Sequence, residues 1–213
     1  MKGRLIAFEG GEGAGKSTQA RLLAEWIAGQ GRSVLATREP GGTPGAEAIR
    51  NLLLDPPDTQ GWTTQAEALL FAAARAEHVA RAIRPALERG SWVICDRFIA
   101  SSQAYQGGAG GLGDEAIRSL HAIGSGGLLP DLTVLLEVSE AHRTERLAQR
   151  DQGNTDAIGS RSAAYHRKVA EHFRKLAQAN SECFAIVDAN GSPDSVQDAV
   201  RSLVLPYLEA QRT

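Results

Sequence analysis

The sequence predicts a three-layer α/β domain: a five-stranded parallel sheet flanked by helices, with one polar segment forming a mobile lid. Two observations carry that prediction. Five short apolar runs alternate with longer stretches of helical periodicity, and the runs are continuously apolar where half-exposed strands would alternate. Strand–helix alternation requires parallel strands joined by right-handed crossovers. Continuous apolarity marks strands covered on both faces. Sheets of this kind bind ligands beyond the carboxyl ends of their strands, and the polar motifs of this chain follow those ends.

The expected strands are Arg4–Glu9, Ser33–Thr37, Trp92–Asp96, Leu132–Val138 and Cys183–Asp188. Between the first two lies a helical stretch from Lys16 to Ile27, with Leu22, Leu23, Trp26 and Ile27 on one stripe. The last helix has a defined start. Ser192 suits the N-cap, Pro193 the first helical position, and Val196, Ala199, Val200, Leu203 and Val204 form its apolar face. Gly107–Gly113 and Gly124–Gly127 read as loops. Gln149–Ser162 is polar and without apolar period, which makes it the lid. No repeat, heptad or linker divides the chain, so residues 1–213 are expected to form one domain.

Composition excludes several classes. At 213 residues and 42% hydrophobic, the chain can bury roughly 70% of its unfolded surface. A net charge of −2 argues against a nucleic-acid surface built on excess positive charge. Of the 23 basic residues only four are lysine, the other nineteen being arginine, the better residue for forked contacts to phosphate. Cys95 and Cys183 lie in apolar runs and read as buried thiols of a reducing compartment. The N-terminus passes straight into a strand without a signal-peptide pattern, and no apolar run approaches the ~18 residues of a membrane span. A cytoplasmic setting, with neither membrane nor nucleic-acid partner, is the expectation.

The strongest motif is Gly10-Gly11-Glu12-Gly13-Ala14-Gly15-Lys16-Ser17, with Thr18 following, between the first strand and the first helix. It fits G-x-x-x-x-G-K-[ST]. Glycines there let successive backbone N–H groups face phosphate oxygens, and the helix N-terminus adds partial positive charge. Lys16 is expected at the β- and γ-phosphates of ATP, facing solvent in the cradle. Ser17 is expected on Mg²⁺, with Asp96 supporting the metal directly or through water. The cradle alone leaves GTPases, ATPases and small-molecule kinases open. No N-K-x-D motif selects guanine, and Asp188-Ala189-Asn190-Gly191 reads as a turn into the last helix, placed to touch an adenine.

Asp96-Arg97 ends the third strand, beside the cradle, where Arg97 is expected to clamp either the transition state or the acceptor phosphate. Phe71 and Arg75 stand four residues apart, hence on one helical face. The chain also carries Thr37-Arg38-Glu39-Pro40-Gly41-Gly42, Leu70–Arg75 and Ser101-Ser102-Gln103-Ala104-Tyr105-Gln106-Gly107-Gly108. With the phosphate cradle, these segments span essentially the whole chain in an order that resembles the thymidylate kinase family, of the P-loop nucleoside monophosphate kinases. The resemblance implies transfer of the γ-phosphoryl group of ATP to dTMP, with Mg²⁺, by a homodimer. It implies that Phe71 stacks on thymine and Arg75 bonds the base edge, with Ser102 and Gln106 near the base and Tyr105 against the deoxyribose. It places Arg50 and Arg97 on the 5′-phosphate, Glu12 toward the 3′-hydroxyl, and Glu39 near the metal and the attacking phosphate. Ala72, Ala73, Ala74 and Ala76 offer a smooth helix for a partner subunit. The five histidines, at 78, 121, 142, 166 and 172, lack metal-ligand spacing and read as surface or packing residues.

The lid departs from the family pattern. Gly13 stands where one branch of the family carries arginine, so the lid should supply the positive charge. Arg146 and Arg150 match the pattern, but the usual Asp-Arg-hydrophobic-Glu reads Asp156-Ala157-Ile158-Gly159. Either Arg161 replaces the missing arginine as a catalytic residue, or Arg150 suffices.

Overall fold

The structure, a computed structural model, describes residues 3–151 and 157–210, without the side chains of 149–151. Its sheet runs β2-β3-β1-β4-β5 with every pairing parallel: β1 (Arg4–Glu9), β2 (Val34–Arg38), β3 (Trp92–Asp96), β4 (Leu132–Glu137) and β5 (Phe184–Asp188). The helices are α1 (Lys16–Gly29), α2 (Pro44–Leu54), α3 (Thr64–His78), α4 (Arg84–Glu88), α5 (Ile99–Ser102), α6 (Asp114–Ser125), α7 (Glu140–Asp151), α8 (Ala163–Ala179) and α9 (Pro193–Glu209). All five expected strands form, within a residue at each end.

The period of two along β1 shows why its run had to be continuously apolar. Ile6 and Phe8 enter one core with Leu23 and Ile27 of α1 and Val200 and Val204 of α9. Leu5 and Ala7 enter the opposite core with Val79, Ile83, Val93 and Phe98. Alternate side chains point to opposite faces, so a strand roofed on both sides is apolar along its interior, here from Leu5 to Phe8. The edge strands differ, and Ile186 on β5 is half exposed.

Caps set the helix starts. Thr43, Thr63, Ser162 and Ser192 each accept from the backbone N–H three residues on, a contact worth about 1 kcal/mol. Pro193 occupies the first turn of α9, as its missing N–H favours. The buried face of α9 is Val196, Gln197, Val200, Val204 and Leu208, while Ala199 faces solvent. A short side chain on the stripe's edge did not reach the core, and a glutamine beside it did.

The segment Gly107–Gly113 does not begin as a loop. Gln103–Ala109 is π-helical and continues α5. A Cβ on Gly108 would collide with the His172 ring, so glycine there lets the wide turn seat directly on α8. Wide π turns are a recurrent device at functional sites, and this one carries Tyr105 and Gln106. The expected lid begins inside a helix, since α7 runs through Asp151. Residues 152–156, Asp156 among them, lie outside the described residues. Its far end is ordered as a turn at 157–160, with Ile158 buried.

Candidate active site

A cleft opens at the carboxyl ends of β1, β2 and β3. It is lined by Glu12, Lys16 and Ser17 from the loop after β1, and by Arg38, Glu39 and Pro40 after β2. Asp96, Arg97, Ser101 and Ser102 after β3, Arg50 and Leu54 from α2, Phe71 from α3, Tyr105, Gln106 and Ile158 complete it. Most of the residues singled out from sequence therefore meet in one place. Gly10, Gly11, Gly13, Ala14 and Gly15 form the loop itself, and Thr18 is exposed in the first turn of α1.

The loop does what its glycines allow. Gly15 caps α1 in the left-handed region at φ 89°, open to glycine without steric cost. Lys16, however, does not face solvent. It is 7% exposed, and its Nζ donates to the Gly11 carbonyl oxygen at 2.7 Å. Burial, followed by repulsion from Arg97, pulls its pKa down to about 7. The side chain arches back over the loop because a carbonyl is the acceptor within its reach.

Ser17 Oγ donates to Asp96 Oδ2, and the other carboxylate oxygen, Oδ1, is buried without a hydrogen-bond partner. A buried orphan carboxylate oxygen beside a hydroxyl is a donor set that fits Mg²⁺ or one of its waters.

Arg97 is the only non-glycine residue with positive φ among the described residues, at 70°. Such a conformation costs of order 1 kcal/mol and persists only where surroundings over-determine it. Its N–H donates to Phe8 O at 2.9 Å, while Nη1 donates to Gly10 O at 3.2 Å and Ser101 Oγ at 3.0 Å. The guanidinium lies 5.3 Å from the centre of the Tyr105 ring. The turn thus aims a cation between the phosphate loop and the rest of the cleft.

Behind it sits Glu9, unnoticed in the sequence because it reads as part of an apolar strand. It is fully buried and accepts from Phe98 N, Ser101 N and Ser101 Oγ. Burial raises its pKa to about 7, against those hydrogen bonds and Arg97. A carboxylate ending a central parallel strand was the available signal.

Arg75 does not line the cleft. It is 3% exposed, with Nε donating to Glu39 Oε2 at 2.7 Å and Nη2 to Phe98 O and Ser102 Oγ. Glu39 is also buried, and its second oxygen meets His78 Nδ1 at 3.2 Å. In this arrangement Glu39 anchors Arg75, and Arg75 in turn holds Ser102. His78 is fully buried on Thr37 and Glu39, a packing residue. Removing one partner of a buried pair such as Arg75–Glu39 costs about 3–5 kcal/mol through the charge left behind.

Arg161 is not brought to the phosphate loop. It pairs with Glu67 and with the Tyr165 hydroxyl, on the far wall of the cleft. The Arg150 side chain lies outside the described residues. Arg146 reaches the loop, from Nη1 to Gly13 O at 3.5 Å, and the turn after β5, from Nη2 to Ala189 O at 2.8 Å.

A parallel sheet carrying a Gly-rich loop of the G-x-x-x-x-G-K-[ST] pattern, a paired Ser17 and Asp96, and a cation-lined cleft is the arrangement of a P-loop nucleoside monophosphate kinase. The family model for thymidylate kinase matches residues 8–200. The thymidylate kinase of Rhizorhabdus wittichii is 55% identical over 196 residues, covering 92% of this chain and 94% of that one. The one from Symbiobacterium thermophilum is 48% identical over 199 residues, covering 93% and 91%. A crystal structure of thymidylate kinase from Ehrlichia chaffeensis superposes with a TM-score of 0.76 at 30% identity, covering 96% of this chain and all of that one. The chain belongs to the thymidylate kinase family.

Proposed function

We propose that the enzyme transfers the γ-phosphoryl group of ATP to dTMP, with Mg²⁺, giving ADP and dTDP on the route to dTTP. The observation that carries this reading is the continuity of the cleft from Lys16 and Ser17, past Arg97 and Arg50, to Phe71 and Gln106. An oxygen of the acceptor phosphate attacks the γ-phosphorus while the bond to the β,γ-bridging oxygen breaks. Positioning and charge neutralisation suffice, because the acceptor oxygen is already ionised. Ser17 and Asp96 would hold Mg²⁺, which would supply charge neutralisation to the transferring phosphate. Arg97 and Arg50 hold the acceptor phosphate, Glu12 faces the sugar's 3′-hydroxyl, and Tyr105 walls the deoxyribose. Arg75 positions Ser102 at the base edge. A coupled assay with ATP, Mg²⁺ and a panel of nucleoside monophosphates should give turnover with dTMP well above the rest. Equal turnover across the panel, or none, would sink the reading.

Phe71 is half-buried and lines the cleft. Phe71→Ala should raise the Kd for dTMP by roughly 5- to 150-fold, the range of ~1–3 kcal/mol for a base stacked on an aromatic ring. ATP affinity should stay at the parent value. Isothermal titration with each nucleotide checks this, and an unchanged dTMP affinity in folded protein would make Phe71 a core residue only.

The proposed assembly is a symmetric homodimer through the outer face of α3 and α6. The alanine row is less available for it than its sequence suggested. Ala74 is buried, and Ala72 and Ala76 lie against Gly124 of α6 in the same chain. What remains outward is apolar nonetheless: Ala73 and Leu69 one turn apart on α3, and Ile123, 85% exposed, on α6. Sedimentation at micromolar concentration should give twice the 22.6 kDa chain mass. A stable species of one chain would refute the dimer.

A further inference from the structure

The far wall of the cleft holds a chain of polar contacts that the phosphate chemistry does not use. Glu67 stands one turn before Phe71 on α3 and is 4% exposed. Its Oε1 accepts from Gln106 Nε2 at 2.6 Å, and its Oε2 accepts from Arg161 Nη2. Arg161 is itself held in place. Its Nη1 donates to Tyr165 Oη at 2.5 Å, and its guanidinium lies 4.7 Å from the centre of the Tyr165 ring. Tyr165 Oη donates to the Tyr105 carbonyl oxygen at 2.8 Å, closing the contacts back onto the π-helical turn that carries Gln106.

A glutamine amide has two chemically different ends that occupy nearly the same shape, and its neighbours decide which end points where. A carboxylate can only accept. With its second oxygen taken by a guanidinium, Glu67 has only its Oε1 side left for Gln106, and only the amide nitrogen can meet it. The reversed amide would set two oxygens against each other. Gln106 is 1% exposed and lines the cleft, so its carbonyl oxygen is the end left to read a ligand.

We propose that Glu67 and Arg161 are positioning residues for base selection, locking the Gln106 amide so that the cleft presents an acceptor and takes a pyrimidine bearing a ring N–H. Resting on the functional reading above, this names the chemistry by which the site separates bases. Thymine and uracil offer the N–H at ring position 3. Cytosine has an unprotonated nitrogen there and would face the Gln106 oxygen lone pair to lone pair. Arg161 acts from beside the turn that also places Ile158 in the cleft, so the far end of the lid reports on the base and not on the transferring phosphate. The arginine missing at Ala157 is therefore not replaced by Arg161.

Steady-state kinetics of the full chain with dTMP and with dCMP test this, using the parent, Glu67→Gln, Arg161→Ala and Arg161→Lys. A site built around one hydrogen-bond polarity rejects the wrong partner strongly. Glu67→Gln, which can meet either end of the Gln106 amide, should therefore lower the dTMP:dCMP ratio of kcat/KM by ~10-fold or more. The loss should fall on the KM for dTMP, with the KM for ATP at the parent value. Arg161→Ala should move the ratio in the same direction, with Arg161→Lys between it and the parent. Arg161 is partly exposed, so its variants keep the proposal testable if Glu67→Gln does not fold. A parental ratio in folded Glu67→Gln overturns the proposal. So does an Arg161→Ala variant that loses kcat equally for both nucleotides at unchanged KM, the signature of a phosphate contact. A parent that phosphorylates no pyrimidine monophosphate overturns the functional reading, and the proposal with it, before any variant is made.

Discussion

Lys16→Ala should lower kcat by ~10²–10³, the usual loss when one fixed donor to developing charge is removed. The melting temperature should stay near that of the parent. Among the described residues Lys16 Nζ donates to Gly11 O, a contact whose net worth is about 1 kcal/mol. Burial already penalises its charge, pulling the pKa from 10.5 to about 7. That depression has its own consequence. Bound phosphates bring negative charge to the ammonium and raise its pKa, so ATP binding should take up a proton between pH 7 and 10. ATP affinity should weaken as pH rises through that window. For the unliganded fold the sign is opposite. The unfolded chain holds the proton up to about pH 10 while the folded chain has released it, so this group's contribution to stability grows as pH climbs from about 7. Calorimetry of ATP binding at pH 8, in buffers of different ionisation enthalpy, reads the proton directly. Near-parent turnover in Lys16→Ala, or binding at pH 8 without proton uptake, would remove Lys16 from the cradle.

Arg97→Ala should cost more, ~10³–10⁵ in kcat, the range for an arginine that neutralises charge in phosphoryl transfer, since a guanidinium on the acceptor phosphate lies beside the attacking oxygen. The fold invests in this side chain. Its backbone is held in the left-handed region, and its guanidinium is fixed by Gly10 O and Ser101 Oγ. Burial works against its charge, but Tyr105, Asp96, Glu9 and Glu12 outweigh that and raise its pKa further. Arg97→Lys should recover little, because a point charge lacks the planar fork that can bridge two phosphate oxygens while staying bonded to Ser101. Saturating ATP and dTMP in a stopped-time assay separate the loss from weaker binding. A kcat within ~10-fold of the parent, for an effect set at 10³ or more, would make Arg97 a scaffold for the strand end and nothing else.

The chain's own order determined the elements and the cradle. Periodicity along Arg4–Glu9, the cap Ser192-Pro193, and the glycine spacing from Gly10 to Ser17 are each written in neighbouring residues, and each formed as read. The family pattern brought Phe71, Arg97, Tyr105 and Gln106 to one site for the same reason, since each follows or flanks a recognisable strand or helix. What only the tertiary structure decided were partnerships between residues far apart in the chain. Arg75 and Glu39 are 36 residues apart, Gln106 and Glu67 are 39 apart, and Arg161 and Glu67 are 94 apart. Glu67, Phe71 and Arg75 share a face at four-residue spacing, so a third position, this one acidic, was visible on that helix. Its use was not. Which oxygen meets which nitrogen depends on how α3, the π-helical turn and the start of α8 are laid side by side, and no local propensity encodes that. Lys16 turned back onto Gly11, and the Ala76 methyl lay against Gly124 where it had promised an outer surface, for one physical reason. A side chain settles on the nearest group that satisfies it, and the crossovers of the sheet choose which groups are near.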